Sequence, residues 1–265
     1  MFDRFGREIS YLRVSVTDRC NLRCRYCMPP GGATRIRRED ILSFEEIAAV
    51  VAAAVPLGIT KIRLTGGEPL VRKGIVTLAG MIARIPGIAD FGMTTNGTLL
   101  RDLAVPLKDA GLHRLNISLD ALDPAHYREI TRGGDVRLVL EGIDAARAAG
   151  FASIKINCVV NESGDEPDAR AVAAFAREHG FPIRFIRRMV LESGAFWKVE
   201  GGEGGDCGRC NRLRMTSDGR LIPCLFNDLS FSVRELGVEK ALRAAIEHKP
   251  PRGGQSRYCI GTLGG

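Results

Sequence analysis

Six short runs of β-forming residues alternate along this chain with longer runs of helical periodicity. The short runs are typical of β-strands and lie at 11–17, 61–65, 91–95, 114–119, 153–160 and 182–187. Strands that alternate with helices predict parallel βαβ units, and six strands are too few for a closed eight-stranded barrel. The alternation therefore leaves an α/β protein of one of two kinds, a partial (βα)6 barrel of the TIM type or an open doubly wound sheet.

Start signals mark two of the intervening helices. Ser43 and Glu46 have the capping-box pattern, in which each side chain satisfies a free backbone N–H of the other residue. Asp123 followed by Pro124 predicts a second helix start, because proline is well placed in the first helical turn. The other helical runs lie near 73–84, 99–110, 138–149, 168–179 and 232–248.

Polar and apolar side chains alternate along four of the strands, so that one face is apolar and the other carries cations and hydroxyls. Arg13 lies on the polar face of the first strand, and Arg63, Asn116 and Lys155 lie on the matching faces of three others. A strand buried on both faces should be apolar on both. The pattern favours a partial barrel whose polar interior holds an anionic ligand, and a sheet with one solvated face is the alternative.

The composition narrows the class of protein. With 265 residues and 45% hydrophobic content, the chain is long enough for one large domain with an appendage and is too apolar to be disordered. No apolar run approaches the roughly 18 residues that span a bilayer, and the N-terminus lacks the apolar core of a signal peptide. We therefore expect a cytoplasmic protein with no membrane partner.

Cysteine content and net charge indicate the chemistry of the protein, and the glycine-rich segment indicates its domain boundaries. Eight cysteines indicate metal ligation or catalysis, because disulfides are rare in the cytoplasm. The formal charge of +7 predicts an anionic partner. We expect a barrel over residues 1–190, a flexible glycine-rich linker over 191–206 and a cysteine-containing extension over 207–265.

Cys20, Cys24 and Cys27, the first cysteine trio, follow the first strand with the spacing C-x3-C-x2-C. Three thiolates at this spacing can bind three irons of a cubane 4Fe–4S cluster and leave the fourth iron open. A zinc site would need a fourth ligand. The trio therefore predicts a cluster that binds a further molecule, at the end of the barrel where such enzymes keep their active sites.

The segment 20–27 resembles the signature of the radical S-adenosylmethionine superfamily. Gly66-Gly67-Glu68-Pro69, after the second strand, resembles that superfamily's motif for the methionine amino group. The two motifs in this order are a specific signal, whereas the second alone is also compatible with a simple tight turn. The resemblance implies an enzyme in which a reduced cluster cleaves S-adenosylmethionine to a 5′-deoxyadenosyl radical.

Cys207, Cys210 and Cys224, the second cysteine trio, have the spacing C-x2-C-x13-C. A zinc ribbon would need a second C-x2-C pair, although Cys259 could complete a four-cysteine zinc or iron–sulfur site. Arg212 and Arg214 follow closely, and the planar guanidinium group suits phosphate. An iron site with an open position beside two such arginines is typical of a nucleotide site.

This combination resembles the GTP 3′,8-cyclase family over nearly the whole chain. Besides both trios, the resemblance rests on Phe5-Gly6-Arg7, Leu12–Cys20, Leu64–Leu70, Thr94–Gly97, Leu115–Asp120, Lys155–Asn157, Arg184–Ile186 and the terminal Gly264-Gly265. It implies a lyase that converts GTP to (8S)-3′,8-cyclo-7,8-dihydroguanosine 5′-triphosphate in molybdenum cofactor biosynthesis. It also implies two 4Fe–4S clusters, an electron donor that reduces them, a homodimer, and no nucleic-acid partner.

The resemblance assigns roles residue by residue. The first trio would hold one cluster, and the second trio would hold another that binds guanine through its open iron. The residues that would contact S-adenosylmethionine are Tyr26, Gly67, Glu68, Ser118 and Met189. Those that would contact GTP are Arg13, Arg63, Thr94, Lys155, Arg212 and Arg214. Of these two sets, the residues with expected catalytic roles are Arg13, Tyr26 and Lys155.

The sequence also departs from the family. Several tens of residues are missing between Met189 and Cys207, and Arg187 stands where the family has glutamate. A shortened cyclase and a relative with another substrate are both compatible with this.

Two other interpretations stay open. One is a radical enzyme that acts on a peptide, with Cys259 as a fourth ligand of an electron-transfer cluster. The other is a zinc ribbon that binds nucleic acid, although aromatic residues for base stacking are sparse.

Overall fold

The computed structural model describes residues 1–29, 31, 35–258 and 260, and its centre is one continuous sheet. The strands in this part of the chain are β1 (Tyr11–Ser15), β2 (Lys61–Thr65), β3 (Asp90–Thr95), β4 (Arg114–Ser118), β5 (Ser153–Val160), β6 (Ile183–Arg187), β7 (Arg212–Met215), β8 (Arg220–Ile222) and β9 (Phe231–Ser232). Their order is β6-β5-β4-β3-β2-β1-β7-β8-β9. β1 to β6 run parallel, as the alternation predicts, and β7 extends the parallel run beside β1.

The helices are α1 (Phe44–Ala54), α2 (Ile75–Ala83), α3 (Leu100–Asp109), α4 (Pro124–Thr131), α5 (Val136–Ala148), α6 (Pro167–Glu178), α7 (Val233–Leu236) and α8 (Val238–Glu247). The capping box is confirmed, because Ser43 and Glu46 exchange side-chain to backbone hydrogen bonds of 3.1 and 2.7 Å. The single helix predicted over 232–248 is instead divided at Gly237, whose positive φ of 80° interrupts it. In the described residues, no helix has the length and apolarity to cross a membrane.

The polarity of the strands separates helix-facing from interior positions. In β5, Ile154, Ile156 and Cys158 are buried against the helical layer, whereas Lys155 and Asn157 lie on the opposite face. The polar face is not a solvated one, because Arg63 is only 2% exposed and Asn116 only 3%. The expected partial barrel with a polar interior is therefore confirmed.

β7 joins the C-terminal extension directly to the barrel. It pairs with β1 in a register that places Arg212 beside Tyr11 and Arg214 beside Arg13. β8 and β9 then continue the sheet in antiparallel fashion. These three strands were not predicted, because they are only two to four residues long and β7 alternates arginine with apolar residues. Their pairing makes the extension part of the same sheet.

The glycine-rich segment over 191–206 packs on the edge of the barrel, which differs from the flexible linker expected from its composition. Phe185 of β6 and Glu200 exchange two backbone hydrogen bonds of 3.1 and 3.2 Å. This pairing covers part of the backbone edge of β6, where the parallel sheet ends. The glycines allow close approach: a Cβ on Gly201 would lie 2.5 Å from the carbonyl oxygen of Ile183.

Gly205 provides a test of this packing. Its φ is +78°, and a Cβ there would lie 1.9 Å from the carbonyl oxygen of Trp197. We expect Gly205→Ala to lower the free energy of unfolding by about 2 kcal/mol, because both the backbone and the contact become strained. Denaturant unfolding would measure this, and the single tryptophan of the chain, Trp197, reports locally by its fluorescence.

Gly80→Ala is the matched control for that substitution. Gly80 lies inside α2, where a Cβ would meet other atoms only at 3.5 Å or more. Alanine stabilises helix interiors relative to glycine, so this variant should be neutral or more stable. Equal effects of the two substitutions would contradict the tight packing at Gly205.

Candidate active site

The two cysteine trios lie at opposite ends of β1. The first trio follows the carboxyl end of β1, whereas Cys207 and Cys210 precede β7, which runs parallel to it. The carbonyl oxygen of Asn211 accepts hydrogen bonds from the backbone of Ser10 and Tyr11 at 3.2 Å, which fixes the second trio at the amino end of β1. With a rise of about 3.3 Å per residue, the five-residue strand separates the two ends by about 15 Å.

The first trio lies half-buried in one loop, in surroundings that suit a cluster. Cys20 Sγ accepts a hydrogen bond from the backbone of Leu22 at 3.3 Å, and Asn96 Nδ2 lies 3.9 Å away. Burial raises the pKa of the Cys24 thiol to about 12. The three thiols of this loop are half-buried, and in a cubane each thiolate binds a different iron. The donor set therefore fits a 4Fe–4S cluster.

The Gly66-Gly67-Glu68-Pro69 segment packs directly beneath the loop that carries the first trio. Gly67 N donates to Thr17 O at 2.7 Å, and Glu68 N donates to Arg19 O at 2.8 Å. A Cβ on Gly67 would lie 2.3 Å from the Arg19 carbonyl oxygen, so only glycine fits here. The second motif thereby fixes the position of the first.

Glu68 is almost fully buried, with 1% of its surface exposed. Its carboxylate accepts hydrogen bonds from Thr95 Oγ1 at 2.7 Å, Asn96 N at 2.7 Å and Leu70 N at 3.0 Å. Burial raises the pKa of Glu68 to about 7, although these hydrogen bonds oppose the rise. In the structure its oxygens therefore join β3 to the motif, and its contact with S-adenosylmethionine stays a prediction.

Tyr26, beside the first trio, is held by a residue that the sequence did not single out. Its hydroxyl donates to Asp120 Oδ2 at 2.7 Å, while Asp120 Oδ1 accepts from Val159 N at 2.8 Å. Burial raises the pKa of Asp120 to about 6. Ser118 ends β4 on the same side of the barrel, so the sites predicted for S-adenosylmethionine around the first trio lie at one end.

A large cavity extends from the carboxyl end of β6 to the second trio. Its empty space is about 1310 Å³, a volume that includes the open mouth. Met189 and all three cysteines of the second trio line it. So do eight cations and only two carboxylates, Glu203 and Asp206; the cations are Arg13, Lys61, Arg63, Arg184, Arg187, Arg212, Arg214 and Lys249.

Several buried polar atoms in and around this cavity have no hydrogen-bond partner in the described structure. They are Arg63 Nη1, Thr94 Oγ1, Asn116 Oδ1, Asn157 Oδ1, Arg184 Nε and Arg187 Nε. Gly92 makes room for one of them, because a Cβ there would lie 3.1 Å from Arg63 Nη1. Buried polar atoms without a partner are costly, so this pattern is typical of a site that binds a polar molecule, and the three arginine nitrogens among them are donors that suit an anionic group.

Four of the six residues predicted to contact GTP line the cavity: Arg13, Arg63, Arg212 and Arg214. Thr94 and Lys155 are not among its lining residues. Both are neighbours of the lining residue Asn116 in the sheet, since Asn116 pairs with Thr94 on one side and with Lys155 on the other. Burial and the positive charges of Arg184 and Arg114 lower the pKa of Lys155.

Tyr11 is a site residue that sequence reasoning missed. It is 8% exposed, and its hydroxyl lies 3.1 Å from Arg63 Nε and 3.4 Å from Arg13 Nη1. Burial alone would raise its pKa, but the charges of Arg13, Arg63 and Lys61 lower it to about 7. The only available signal was its position two residues before Arg13 on the polar face, and an aromatic residue did not stand out there.

The glycine-rich segment contributes the wall of the cavity opposite β1. The guanidinium carbon of Arg187 lies 4.1 Å from the centroid of the Trp197 ring. Phe196 packs on Phe226 with ring centroids 4.5 Å apart. The wall is therefore aromatic and carries a positive charge.

The second trio borders the cavity through half-buried thiols. Burial would raise the pKa of Cys210, but the charges of Lys249 and Arg212 lower it to about 7. Burial and the neighbouring charges of Arg13 and Arg212 lower the pKa of Arg214 to about 9. Cys259 and the terminal Gly264-Gly265 lie outside the described residues, so the possible fourth ligand stays a prediction.

A family model described as the Radical SAM superfamily matches residues 14–189 of this chain. The chain belongs to the radical S-adenosylmethionine superfamily. The match confirms the enzyme class expected from the first trio, and it implies a 4Fe–4S cluster and S-adenosylmethionine as cofactors.

Curated relatives narrow the family within that superfamily. A protein named GTP 3′,8-cyclase from Thermodesulfovibrio yellowstonii is 42% identical over 92% of this chain and 88% of its own length. One of the same name from Moorella thermoacetica is 42% identical over the whole of both chains. The chain belongs to the family of these proteins. The second alignment has 323 positions against 265 residues here, so this chain is shorter by several tens of residues.

Solved structures share the fold at low sequence identity. SuiB from Streptococcus suis, bound to the precursor peptide SuiA, has a TM-score of 0.67 at 13% identity, over 91% of this chain and 65% of its own. The protein anSMEcpe with bound AdoMet has a TM-score of 0.62 at 15% identity, over 91% and 81%. These similarities concern the fold alone.

Tyr11 gives the cavity a pH dependence that can be measured. We expect its phenol to ionise near pH 7, whereas burial raises the pKa of Tyr26 and of Tyr127 above the usual value. Because the folded pKa lies below the unfolded value of about 10, ionised Tyr11 stabilises the fold. That contribution is complete above pH 10 and is lost as the pH falls through 7.

NMR of iron-free protein labelled with ¹³C at the tyrosine ζ position would follow this ionisation. One resonance should titrate near pH 7, and it should disappear in Tyr11→Phe. A multiply charged anion such as triphosphate should raise the midpoint, because it neutralises the surrounding cations. A Tyr11 resonance that does not change below pH 9 would contradict the expected charge environment.

Proposed function

We propose that this protein is a GTP 3′,8-cyclase, which converts GTP to (8S)-3′,8-cyclo-7,8-dihydroguanosine 5′-triphosphate in molybdenum cofactor biosynthesis. The observation that carries the proposal is the cation-lined cavity that the second cysteine trio borders, with the first trio at the opposite end of β1. Such a cavity can hold an anionic substrate beside the second trio, and a substrate that extends along β1 would approach the first. The names of the relatives at about 40% identity support the same assignment.

The first trio would hold the cluster that binds S-adenosylmethionine. When bound and reduced, this cluster supplies the electron that releases a 5′-deoxyadenosyl radical from S-adenosylmethionine. Gly67 would contribute its backbone to the site of the methionyl group, and its lack of a side chain lets the motif pack against Arg19. Tyr26, held by Asp120, and Ser118 and Met189 would orient the rest of the molecule.

The cavity cations would bind the triphosphate of GTP. Arg13 and Arg214 are direct neighbours in the sheet, as are Arg13 and Arg63, so three guanidinium groups form one row across the barrel. A triphosphate distributes several negative charges over a similar width, and charge-assisted hydrogen bonds to it are strong. Lys155, one strand pairing away from the cavity lining, would complete the set after a change of rotamer.

The second trio would hold a second 4Fe–4S cluster with an open iron for the guanine base. Its three half-buried thiols border the cavity and lack a fourth cysteine among the described residues. Arg212 and Arg214, which follow Cys210 along β7, would connect this end to the triphosphate. The aromatic wall at Trp197 would exclude water, in place of the longer segment of the relatives.

Anaerobic assays of protein with reconstituted clusters test this proposal. Incubation with S-adenosylmethionine, a reductant and GTP should yield 5′-deoxyadenosine and the cyclised nucleotide in equal amounts. ATP in place of GTP should yield no cyclised product. Deoxyadenosine formation that is indifferent to GTP, with no cyclised nucleotide, would contradict the proposal and favour another substrate such as a peptide.

Arg63→Met should weaken GTP binding. Arg63 Nη1 is buried and lacks a hydrogen-bond partner in the described structure, so it is free to bind phosphate. Loss of one such charged contact costs about 1.5–3 kcal/mol, and we expect the Kd for GTP to rise about 10- to 100-fold. Anaerobic calorimetry would measure the Kd.

Arg177→Met is the matched control, because Arg177 is exposed on α6, outside the cavity. Its Kd for GTP should equal that of the unmodified protein. A similar rise in both variants would indicate a general effect of net charge rather than a contact with Arg63.

The quaternary structure and the reductant belong to the same proposal. We expect a homodimer, which analytical ultracentrifugation of the reconstituted protein would test. The electron donor would have a potential low enough to reduce the first cluster, and activity with a low-potential flavoprotein would support this.

A further inference from the structure

Three buried charged residues, Asp3, Arg7 and Lys249, are linked by hydrogen bonds to the backbone around the second cysteine trio. We call them the charged support. Asp3 is 7% exposed, Arg7 8% and Lys249 2%. They come from the two ends of the chain, and neither the motifs nor the proposed reaction gives them a role. Burial of three charged groups is costly, so their contacts need an explanation.

Lys249 joins the two halves of the second trio. Its Nζ donates to the carbonyl oxygen of Arg212 at 2.6 Å and to that of Pro223 at 2.7 Å. The first carbonyl lies two residues after Cys210, and the second immediately precedes Cys224. The charge of Lys249 also lies close enough to Cys210 to lower the pKa of its thiol. One ammonium group thus fixes the backbone near two of the three cysteines.

Arg7 fixes the remaining cysteine. Its Nη1 donates to the carbonyl oxygen of Cys207 at 2.7 Å, and its Nη2 donates to that of Pro250 at 2.7 Å. Pro250 directly follows Lys249, so Arg7 also positions the backbone that carries the lysine. Asp3 holds Arg7 in turn, since Asp3 Oδ2 accepts from Arg7 Nε at 2.7 Å and Oδ1 accepts from Arg7 N at 3.0 Å.

The donors of this support are already used within the protein. Lys249 Nζ donates to two carbonyl oxygens, and each nitrogen of the Arg7 side chain has at least one acceptor. Both side chains are therefore engaged within the protein, although Lys249 also borders the cavity. Their contacts are mostly to the backbone that carries the cysteines, which is the pattern of residues that orient metal ligands.

We propose that Asp3, Arg7 and Lys249 are positioning residues for the second cluster, which set the geometry of its three cysteines and place a positive charge beside it. The inference rests on the proposed function in one respect, namely that the second trio holds an iron–sulfur cluster. Hydrogen bonds to cluster sulfurs and nearby positive charge raise the reduction potential. The support should therefore control both how firmly this cluster is bound and how readily it is reduced.

Lys249→Met and Arg7→Lys test the proposal in the full-length, reconstituted protein. Methionine keeps the length of Lys249 but loses its donors and charge, and lysine at position 7 keeps the charge but cannot form the forked contacts. Lys240→Met is the control, because Lys240 is exposed on α8, the helix that precedes Lys249. Iron and sulfide per chain, release of iron to a chelator, and a reductive titration followed by electron paramagnetic resonance are measured for each.

The unmodified protein and Lys240→Met should contain the iron of two clusters and show two reductive transitions. Lys249→Met should lose most of the iron of one cluster, or keep it with faster release and a more negative potential for one transition only. Arg7→Lys should change the iron content, the rate of iron release and the potential of that transition in the same direction. It tests the positioning role by itself if Lys249→Met does not fold. A general structural defect would move both transitions and the melting temperature together.

Two results would overturn the inference, and they are distinguishable. If both variants retain two clusters with unchanged release and unchanged potentials, the charged support has no positioning role, although the proposed function stands. If the unmodified protein itself binds only one cluster, the second trio holds no cluster. The proposed function then fails in that part, and the inference fails with it.

Discussion

The parallel pairing of β1 with β7 is the constraint on which the candidate active site depends. It joins segments about 200 residues apart in sequence and sets Arg13 beside Arg214. Because the first trio follows β1 and the second trio precedes β7, the same pairing places the trios at opposite ends of one strand. A substrate bound along β1 would then reach both.

The charge of the cavity is the second organising feature. Burial and mutual repulsion lower the pKa of Arg13 and Arg214, so the free protein holds this row of cations at a cost in stability. Tyr11 offsets part of that cost, since its phenol ionises near neutral pH among Arg13, Arg63 and Lys61. A bound polyanion would supply the negative charge that ionised Tyr11 otherwise provides among these cations. Binding of such a substrate is therefore coupled to the protonation of Tyr11.

Much of the barrel could be predicted because its signals are local. The period of two along a strand and the capping box at Ser43 depend on residues a few positions apart, and both are confirmed. The row formed by Arg13 and Arg63 followed from the same alternation. The division of the C-terminal helix at Gly237 was missed, because a glycine within a helical pattern is often tolerated.

Other site features depend on contacts between distant residues and could not be predicted. Tyr11 acquires its low pKa from strands β1 and β2 together, and Trp197 contacts Arg187 only because the glycine-rich segment pairs with β6. The glycine content of that segment predicted a flexible linker, but glycine also allows close approach of two backbones. The atoms around each glycine decide which of these two properties is used.

The sequence by itself determined the enzyme superfamily and the polar interior, because residue identity and short spacings set these. Only the tertiary structure decided that the two trios lie at opposite ends of β1, with the second trio lining the cavity, and that Asp3, Arg7 and Lys249 meet around that second trio. The physical reason is that such contacts depend on strand pairing and on the burial of both chain ends. Neither has a signature within a short window of sequence.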